Sequence, residues 1–325
     1  MNKFVIQEKY LSSRIQSYKE KHIIPIIDYA VEHNKDKFVF QEKYNQILYD
    51  FPNNYHALKL SSIDLDGSGT TSIAHQIAKR ASYTNNKLLI DAEEVGIQRR
   101  ISTITDDLIE NNNPYIFKTY QMYRKDMLNN LLRDIEYFQD NDKRLHVKLV
   151  RGAYLHQDRY TGLIHDTKED TDKAYDYAID VLKTHQQDVG EMIFGTHNMK
   201  SFSKIKDLDS EKCFHASLMG FDEPFASNGS IKKMVYIPFG PYHKTYPYLI
   251  RRLYENPFIF KKEIHPKIIW NSCFFRNFRV LIFATFECAK LNCNADMQLI
   301  FIISFSGRNY LSPLNCGTFF INLKT

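Results

Sequence analysis

The chain has 325 residues, 43% hydrophobic and 25% charged, the balance of a folded globular protein rather than a disordered or fibrous one. Its 43 basic and 38 acidic residues leave a net charge of only +5, and no basic stripe interleaved with aromatics occurs, so nucleic-acid binding finds no support. This length holds one large domain or two ordinary ones.

Met1–Gln16 carries Glu8 early and has no uninterrupted apolar core, which makes it a poor signal peptide. Residues 1–21 are expected to form an N-terminal helical segment. From residue 22 short apolar runs alternate with longer amphipathic stretches. The predicted strands are His22–Asp28, Tyr55–Ser61, Lys87–Ala92, Tyr115–Gln121, Leu145–Arg151, Glu191–Thr196, Lys212–Leu218 and Lys233–Pro238. Between them the predicted helices include Ser72–Tyr83, Gly96–Glu110, Tyr123–Gln139, Thr171–His185 and Met199–Leu208, with a last helix at His243–Asn256. The stretch from Glu32 to Asn54 is expected to hold a short helix of its own.

Strands that alternate with helices at this spacing imply parallel connections. Eight such units in about 240 residues fit an α/β fold of the (β/α)8 TIM-like barrel type, distorted, better than an open sheet. The barrel is assigned to residues 22–258 and an atypical C-terminal tail to 259–325. After Lys267 the alternation is lost, and Ile268–Thr325 is dense in Phe, Ile, Cys and Asn. Arg276, Arg279, Glu287, Lys290, Asp296 and Arg308 interrupt it, so no apolar span of roughly 20 residues occurs. The tail reads either as a membrane-surface segment or as sequence running past a disrupted natural end, and its composition favours the second.

Several chemistries are excluded by absent motifs. No CxxC pair occurs, and no second His or carboxylate stands at metal spacing from His197, so no metal site is expected. No GxGxxG opens a helix, and Gly67-Ser68-Gly69 lacks the GxSxG spacing of a hydrolase elbow.

In a barrel of this type the active site collects at the carboxyl ends of the strands. Those ends carry Lys59, the run Asp91-Ala92-Glu93-Glu94, then Lys118, Tyr120 and Gln121. They continue with Lys148, Arg151 and Tyr154, then Thr196-His197-Asn198, and finally Tyr236. This cationic and aromatic rim suits a carboxylate, a phosphate or both. Lys59 and Asp91 form at least a buried ion pair. The acids after Ile90 read as paired acid–base groups or as carboxylates neutralising Lys59 or Arg151, the second being the stronger reading. In the last helix Glu255 stands i,i+4 from Arg251 and Tyr248 lies one turn earlier, so Arg251 and Arg252 read either as part of a solvated, salt-bridged helix face, the stronger reading for this motif alone, or as a planar clamp for a carboxylate.

These segments, taken in order, resemble the proline dehydrogenase family. The matching text runs from about residue 22 to 258. It includes Pro25–Glu32, Lys59-Leu60-Ser61, Ile90–Glu93, Thr119-Tyr120-Gln121, Lys148–Tyr154 (KLVRGAY), Gly195–Asn198, Tyr236–Pro241 and Tyr248–Asn256 (YLIRRLYEN). KLVRGAY and YLIRRLYEN are the specific signals. The resemblance implies FAD as cofactor and oxidation of L-proline to Δ1-pyrroline-5-carboxylate by hydride transfer to flavin N5. It further implies electrons passed to a quinone, peripheral membrane association, and a mitochondrial location if the source is eukaryotic, otherwise a cytoplasmic one.

By position, the resemblance makes Lys59, Asp91 and Tyr236 catalytic. Arg251 and Arg252 would hold the proline carboxylate with help from Lys59, which Asp91 fixes. Tyr236, Tyr248 and Leu218 would wall the ring, Tyr154 would line the substrate side, and Glu255 would orient an arginine. Lys148, Arg151, Thr196, His197 and Asn198 would contact the FAD. Lys118 stands where relatives place Gln or Asn near the flavin, Ser217 where many have Gln, and Phe221 where Met is usual. Two alternatives accompany the leading expectation: a hydroxyproline dehydrogenase, which Tyr236 argues against by filling the space the ring hydroxyl needs, and a decayed, non-catalytic paralogue, which Lys118 and the tail motivate.

Overall fold

The computed structural model describes residues 4–31, 36–63, 65, 69–112, 115–206, 208, 211–221, 231–245, 248–249 and four short strands in the tail. The chain divides into two compact units, 1–255 and 256–325. The second contains two antiparallel strand pairs, Phe278–Arg279 with Ser304–Phe305 and Gln298–Ile300 with Phe320–Asn322.

The first unit is a closed barrel of eight parallel strands, as the alternation predicts: β1 Ile24–Tyr29, β2 Tyr55–Leu58, β3 Lys87–Ile90, β4 Ile116–Gln121, β5 His146–Val150, β6 Met192–Gly195, β7 Cys213–Leu218 and β8 Lys232–Phe239. Predicted and observed strand ends agree to within three residues. The largest difference, at the end of β2, arises because Leu60–Ile63 turns into a 3-10 helix. Strand β1 pairs with both β2 and β8 and so closes the ring.

The helices are α1 Leu11–Lys19, α2 Lys37–Asp50, α3 Thr70–Tyr83, α4 Val95–Asn112, α5 Met127–Asp140, α6 Leu155–Asp158, α7 Lys168–Thr184 and α8 Met199–Ile205. The helix expected in the first loop is α2, whose start is capped by Asp36 accepting from the backbone of Phe38 and Val39. Helix α5 starts four residues later than predicted because 123–126 pair with the loop after β5: Arg124 bridges Ile164, His165 N–H donates to Tyr123 O, and Lys125 N–H to Leu163 O. Its buried face, Met127, Leu131, Ile135 and Phe138, follows helical spacing against the outer side of the sheet.

Strand alternation separates two cores. Ile26, Ala57, Leu89, Phe117, Ile193, Phe214, Ala216, Met234 and Tyr236 fill the barrel interior, while the other face of each strand packs against the helices. At the amino-terminal end Tyr55 Oη donates to Glu191 at 2.8 Å and Lys87 also binds Glu191, which plugs that end. The plug leaves the opposite end as the mouth.

Residues 4–19 belong to the barrel unit. Ile6 pairs with Phe239 just outside β8, and Leu11, Ile15 and Tyr18 of α1 pack with Ile27, Val235 and Ile237 on the outer face of β1 and β8. Helix α1 thus covers the groove where the last strand meets the first. After β8 residues 242–245 and 248–249 are helical, and Tyr248 packs with Val5 and Ala30 at the carboxyl ends of β1 and β8.

Candidate active site

The floor of the mouth is a chain of alternating charges. Asp28 is the last inward residue of β1, Lys59 follows β2, Asp91 follows β3 and Lys148 lies on β5. Lys59 Nζ lies 2.9 Å from Asp28 Oδ1 and 3.3 Å from Asp91 Oδ2, and Lys148 Nζ lies 2.6 Å from Asp91 Oδ1. All four side chains are almost wholly buried, so each charge depends on its neighbours rather than on water. Two lysines and two aspartates make the set neutral. Burial alone would raise the Asp91 carboxyl, but Lys148 and Lys59 outweigh it and hold Asp91 below the ordinary carboxylate range. Asp91 is therefore ionised at neutral pH, and it bridges the two cations. The expected Lys59–Asp91 pair is present, and Asp28 joins it.

Tyr236 on β8 faces the same floor. Lys148 Nζ sits 4.8 Å from its ring centre, a cation–π distance. Its hydroxyl is buried and has no hydrogen-bond partner among the described residues. Burial first, then Asp91 and Asp28, push this phenol well above its ordinary value, so it remains a protonated donor. A buried hydroxyl with nothing to bond costs stability. Tyr236→Phe is accordingly expected to stabilise the ligand-free protein by about 1 kcal/mol in urea unfolding, and a loss of stability would show that the hydroxyl has a protein partner. Leu218 is the register neighbour of Tyr236 on β7 and packs against the interior cluster.

Lys118 is not in this group, which corrects the expectation that it contacts the cofactor. Phe117 points into the barrel, so the next residue must point out. Lys118 Nζ binds Asp106 of α4 at 2.5 Å and Asp134 of α5 at 2.7 Å, and Tyr120 Oη also donates to Asp134 at 2.7 Å. The inward positions at this end of β4 are Thr119 and Gln121. Thr119 Oγ1 donates to Ile90 O at 2.6 Å, and Gln121 Nε2 donates to Glu93 O at 2.7 Å. By the same alternation Ser217 lies on the outer side of β7, between inward Ala216 and Leu218.

Beside the floor, Arg151 is held from three directions. Its Nε donates to Asp172 of α7 at 2.5 Å, and its two terminal nitrogens donate to Thr196 Oγ1 at 2.7 Å and Ser201 Oγ at 2.8 Å. The guanidinium stacks 4.2 Å over the ring of Tyr175. Asp176 backs Ser201 at 2.5 Å. Thr196 Oγ1 also accepts from Asn198 N–H, and the Asn198 side chain caps α8 by accepting from Lys200 N–H. His197 is exposed, with its ring edge-on to Phe221 at 5.5 Å. The structure thus gathers Arg151, Thr196 and Asn198 into one cluster.

The loop after β5 is strapped over the β3 and β4 ends. Buried Asp158 accepts from Val95 N–H at 2.9 Å and from the Tyr123 hydroxyl. Tyr154, buried, lies on this strap and precedes α6. Gly152 has φ +131°, and an added Cβ would fall 1.9 Å from the Tyr123 ring. Tyr248 is buried and close enough to Tyr236 to influence its ionisation. Arg251, Arg252 and Glu255 lie outside the described residues.

Sequence reasoning left Asp28, Thr119, Asp172 and Ser201 out of the site, and it placed Glu93 and Gln121 at the strand ends without giving either a part in ligand binding. Counting alternate positions from Phe117 identifies Thr119 and Gln121, and Asp28 stands within the matched text as the last inward residue of β1. Asp172 and Ser201 gave no signal, since their role depends on how α7 and α8 pack. Among the described residues no cluster of metal-binding side chains occurs, and no helix is long and apolar enough to cross a membrane.

The chain is 31% identical over 223 residues to "Proline dehydrogenase 1, mitochondrial" of Caenorhabditis elegans, an alignment covering 60% of this chain and 36% of that one. It is 30% identical over 209 residues to "Hydroxyproline dehydrogenase" of Rattus norvegicus, covering 56% and 46%. Its match therefore spans between a third and a half of the length of these relatives. A solved structure of proline utilization A from Bdellovibrio bacteriovorus inactivated by N-propargylglycine superposes with a TM-score of 0.68 at 14% identity, covering 78% of this chain and 32% of that one, which shows a shared fold. The family model described as proline dehydrogenase matches residues 11–260, most of the chain and all of the barrel, and by that match the chain belongs to the proline dehydrogenase family.

Proposed function

We propose that the protein oxidises L-proline to Δ1-pyrroline-5-carboxylate with FAD, the first step of proline breakdown towards glutamate. The observation that carries this reading is the mouth itself: a neutral floor of Asp28, Lys59, Asp91 and Lys148 beneath a Tyr236 hydroxyl that has no partner among the described residues. Such a floor has no nucleophile and no metal-binding set. It suits a reaction in which the protein positions a small ring and excludes water.

The donor set fits FAD. Gln121 and Lys148 stand on adjacent strands as an amide and a cation, the kinds of group that can meet the polar edge of a flavin ring, while Arg151, Thr196, His197 and Asn198 can meet its ribityl and phosphate part. Bound FAD supplies the acceptor for the hydride leaving the ring carbon beside nitrogen, while the nitrogen gives up its proton. The protein's contribution is orientation. Arg251 and Arg252 take the carboxylate, Lys59 adds positive charge near it, Asp91 holds Lys59 in place, and Tyr236, Tyr248, Tyr154 and Leu218 enclose the ring, with Glu255 steadying an arginine. The electrons then pass to a quinone at a membrane surface, the mitochondrial inner membrane in a eukaryotic source.

Relatives carry both proline and hydroxyproline names at similar identity, so the ring wall decides between the two substrates. Tyr236 occupies space that a ring hydroxyl would need, which favours proline. The test is spectroscopic: purified protein should be yellow, bleach on adding L-proline without an electron acceptor, and turn over proline faster than 4-hydroxyproline. A colourless protein that FAD cannot reconstitute would support the non-catalytic paralogue instead.

A further inference from the structure

Glu93 is the residue through which three successive strand ends meet at the mouth. Its carboxylate accepts from Ser61 N–H at 3.1 Å and Ser61 Oγ at 2.5 Å, just beyond β2. Its own N–H donates to Gln98 Oε1 of α4 at 2.7 Å, and its carbonyl accepts from Gln121 Nε2 of β4 at 2.7 Å. The side chain is 4% exposed. Gln121 faces the barrel interior, so the peptide of Glu93 fixes which end of that amide is presented to the mouth.

We propose that Glu93 is a positioning residue that clasps β2, β3 and β4 together and whose charge sets how strongly the mouth binds an anionic ring substrate, a proposal that rests on the substrate class assigned above. The floor of Asp28, Lys59, Asp91 and Lys148 is neutral. An ionised Glu93 therefore adds one negative charge beside a floor that has no net charge to offset it and weakens the hold on a carboxylate, while a protonated Glu93 removes that charge. The charged groups facing it are Lys59, which favours ionisation, and Glu94, which opposes it; the partners from α4 and β4, Gln98 and Gln121, are uncharged. Burial dominates over the Ser61 hydrogen bonds and Lys59 and pushes the Glu93 carboxyl up to about 7. The residue then changes charge within the ordinary working range of pH.

The test uses the full chain reconstituted with FAD, and cyclopentanecarboxylate as probe, because that ring anion does not itself titrate between pH 6 and pH 8. One unit charge worth about one pK unit of interaction corresponds to tenfold, and most of the titration falls in that window, so calorimetry should show binding weakening about fivefold from pH 6 to pH 8. Glu93→Gln keeps both bonds to Ser61, since an amide oxygen accepts from N–H and its NH2 donates to Oγ. It should bind the probe with the same affinity at both pH values. A slope retained in Glu93→Gln, a flat wild type, or no probe binding at all overturns the proposal.

Thermal unfolding gives a readout independent of turnover. A carboxyl raised by folding destabilises as pH climbs from the usual carboxylate range through about 7, so Glu93→Gln should exceed wild type in Tm at pH 8 and approach it at pH 5. An equal difference at both overturns the titration. Should Glu93→Gln fail to fold, Ser61→Ala removes a hydroxyl that lowers this pKa, and the midpoint of the wild-type binding slope must then move up; an unmoved midpoint again overturns it. Protein that binds FAD and the probe but never bleaches with proline would refute the activity while leaving the measurements on Glu93 intact.

Discussion

Asp91→Ala is expected to lower kcat/KM for proline by roughly a hundredfold to a thousandfold and to destabilise the fold by about 3–5 kcal/mol, the cost of leaving a buried charge without its partner. The reason is its bridging position. Lys148 has Asp91 as its ion-pair partner at 2.6 Å, and Lys59 shares it with Asp28. Removing the bridge leaves the floor with one surplus positive charge, releases Lys148 to shift into the space of the ring and leaves Lys59 held by Asp28. Asp91→Asn keeps the shape and a hydrogen-bond acceptor, so it should recover part of the stability while activity stays low. The decisive measurement is a double-mutant cycle with Lys148→Met in urea unfolding. Additive effects would show that the pair is not coupled. The pH dependence has a defined sign. Asp91 is depressed in the folded state, so its contribution is present above the usual carboxylate range and is lost as pH falls through the lower folded value.

Gly152→Ala is expected to cost about 3–5 kcal/mol and to abolish activity at ordinary temperature. Two effects combine. The backbone at φ +131° is one that residues with a Cβ rarely adopt. The Cβ would also sit at 1.9 Å and 2.0 Å from two carbons of the Tyr123 ring, and that ring cannot swing aside without breaking its bond to buried Asp158. Because Asp158 also holds Val95, the displacement spreads to the start of α4. Tyr123→Ala in the same background removes the clash but not the backbone strain. It should therefore return part of the lost stability, and no return would mean that the strain alone is responsible. A Gly152→Ala protein that unfolds at the wild-type urea midpoint would refute the packing assignment.

The barrel was legible because its signal is redundant. Eight short apolar runs recur along the chain, most of them followed by an amphipathic helix, and that repetition makes an error in any one run harmless. The floor was partly legible for a different reason. Lys59, Asp91, Lys148 and Tyr236 carry chemistry unusual for an interior, so they stand out wherever the alternation puts them. Lys118 was misplaced because it shares that chemistry but lies on the wrong parity. A strand end supplies inward and outward positions at every second residue, and Phe117 settles which is which. A lysine is tolerated on the outer face because Asp106 and Asp134 neutralise it there. Asp172 and Ser201, which hold Arg151, were illegible for a third reason. They are ordinary polar residues on helices, and only the packing of α7 and α8 against β5 and β6 brings them to the guanidinium.

The seam between β1 and β8 has a kinetic meaning as well as a structural one. It joins the first strand to the last, so among the strand pairings it closes the longest loop and carries the largest entropic penalty, which makes it a late event in folding. Helix α1 and the Ile6–Phe239 pairing lie across that seam and can form fully only once both strands are in place. They act as a latch set after closure: they do little to hasten folding and much to slow unfolding, so a segment outside the eight-stranded ring is among those that keep the finished barrel shut.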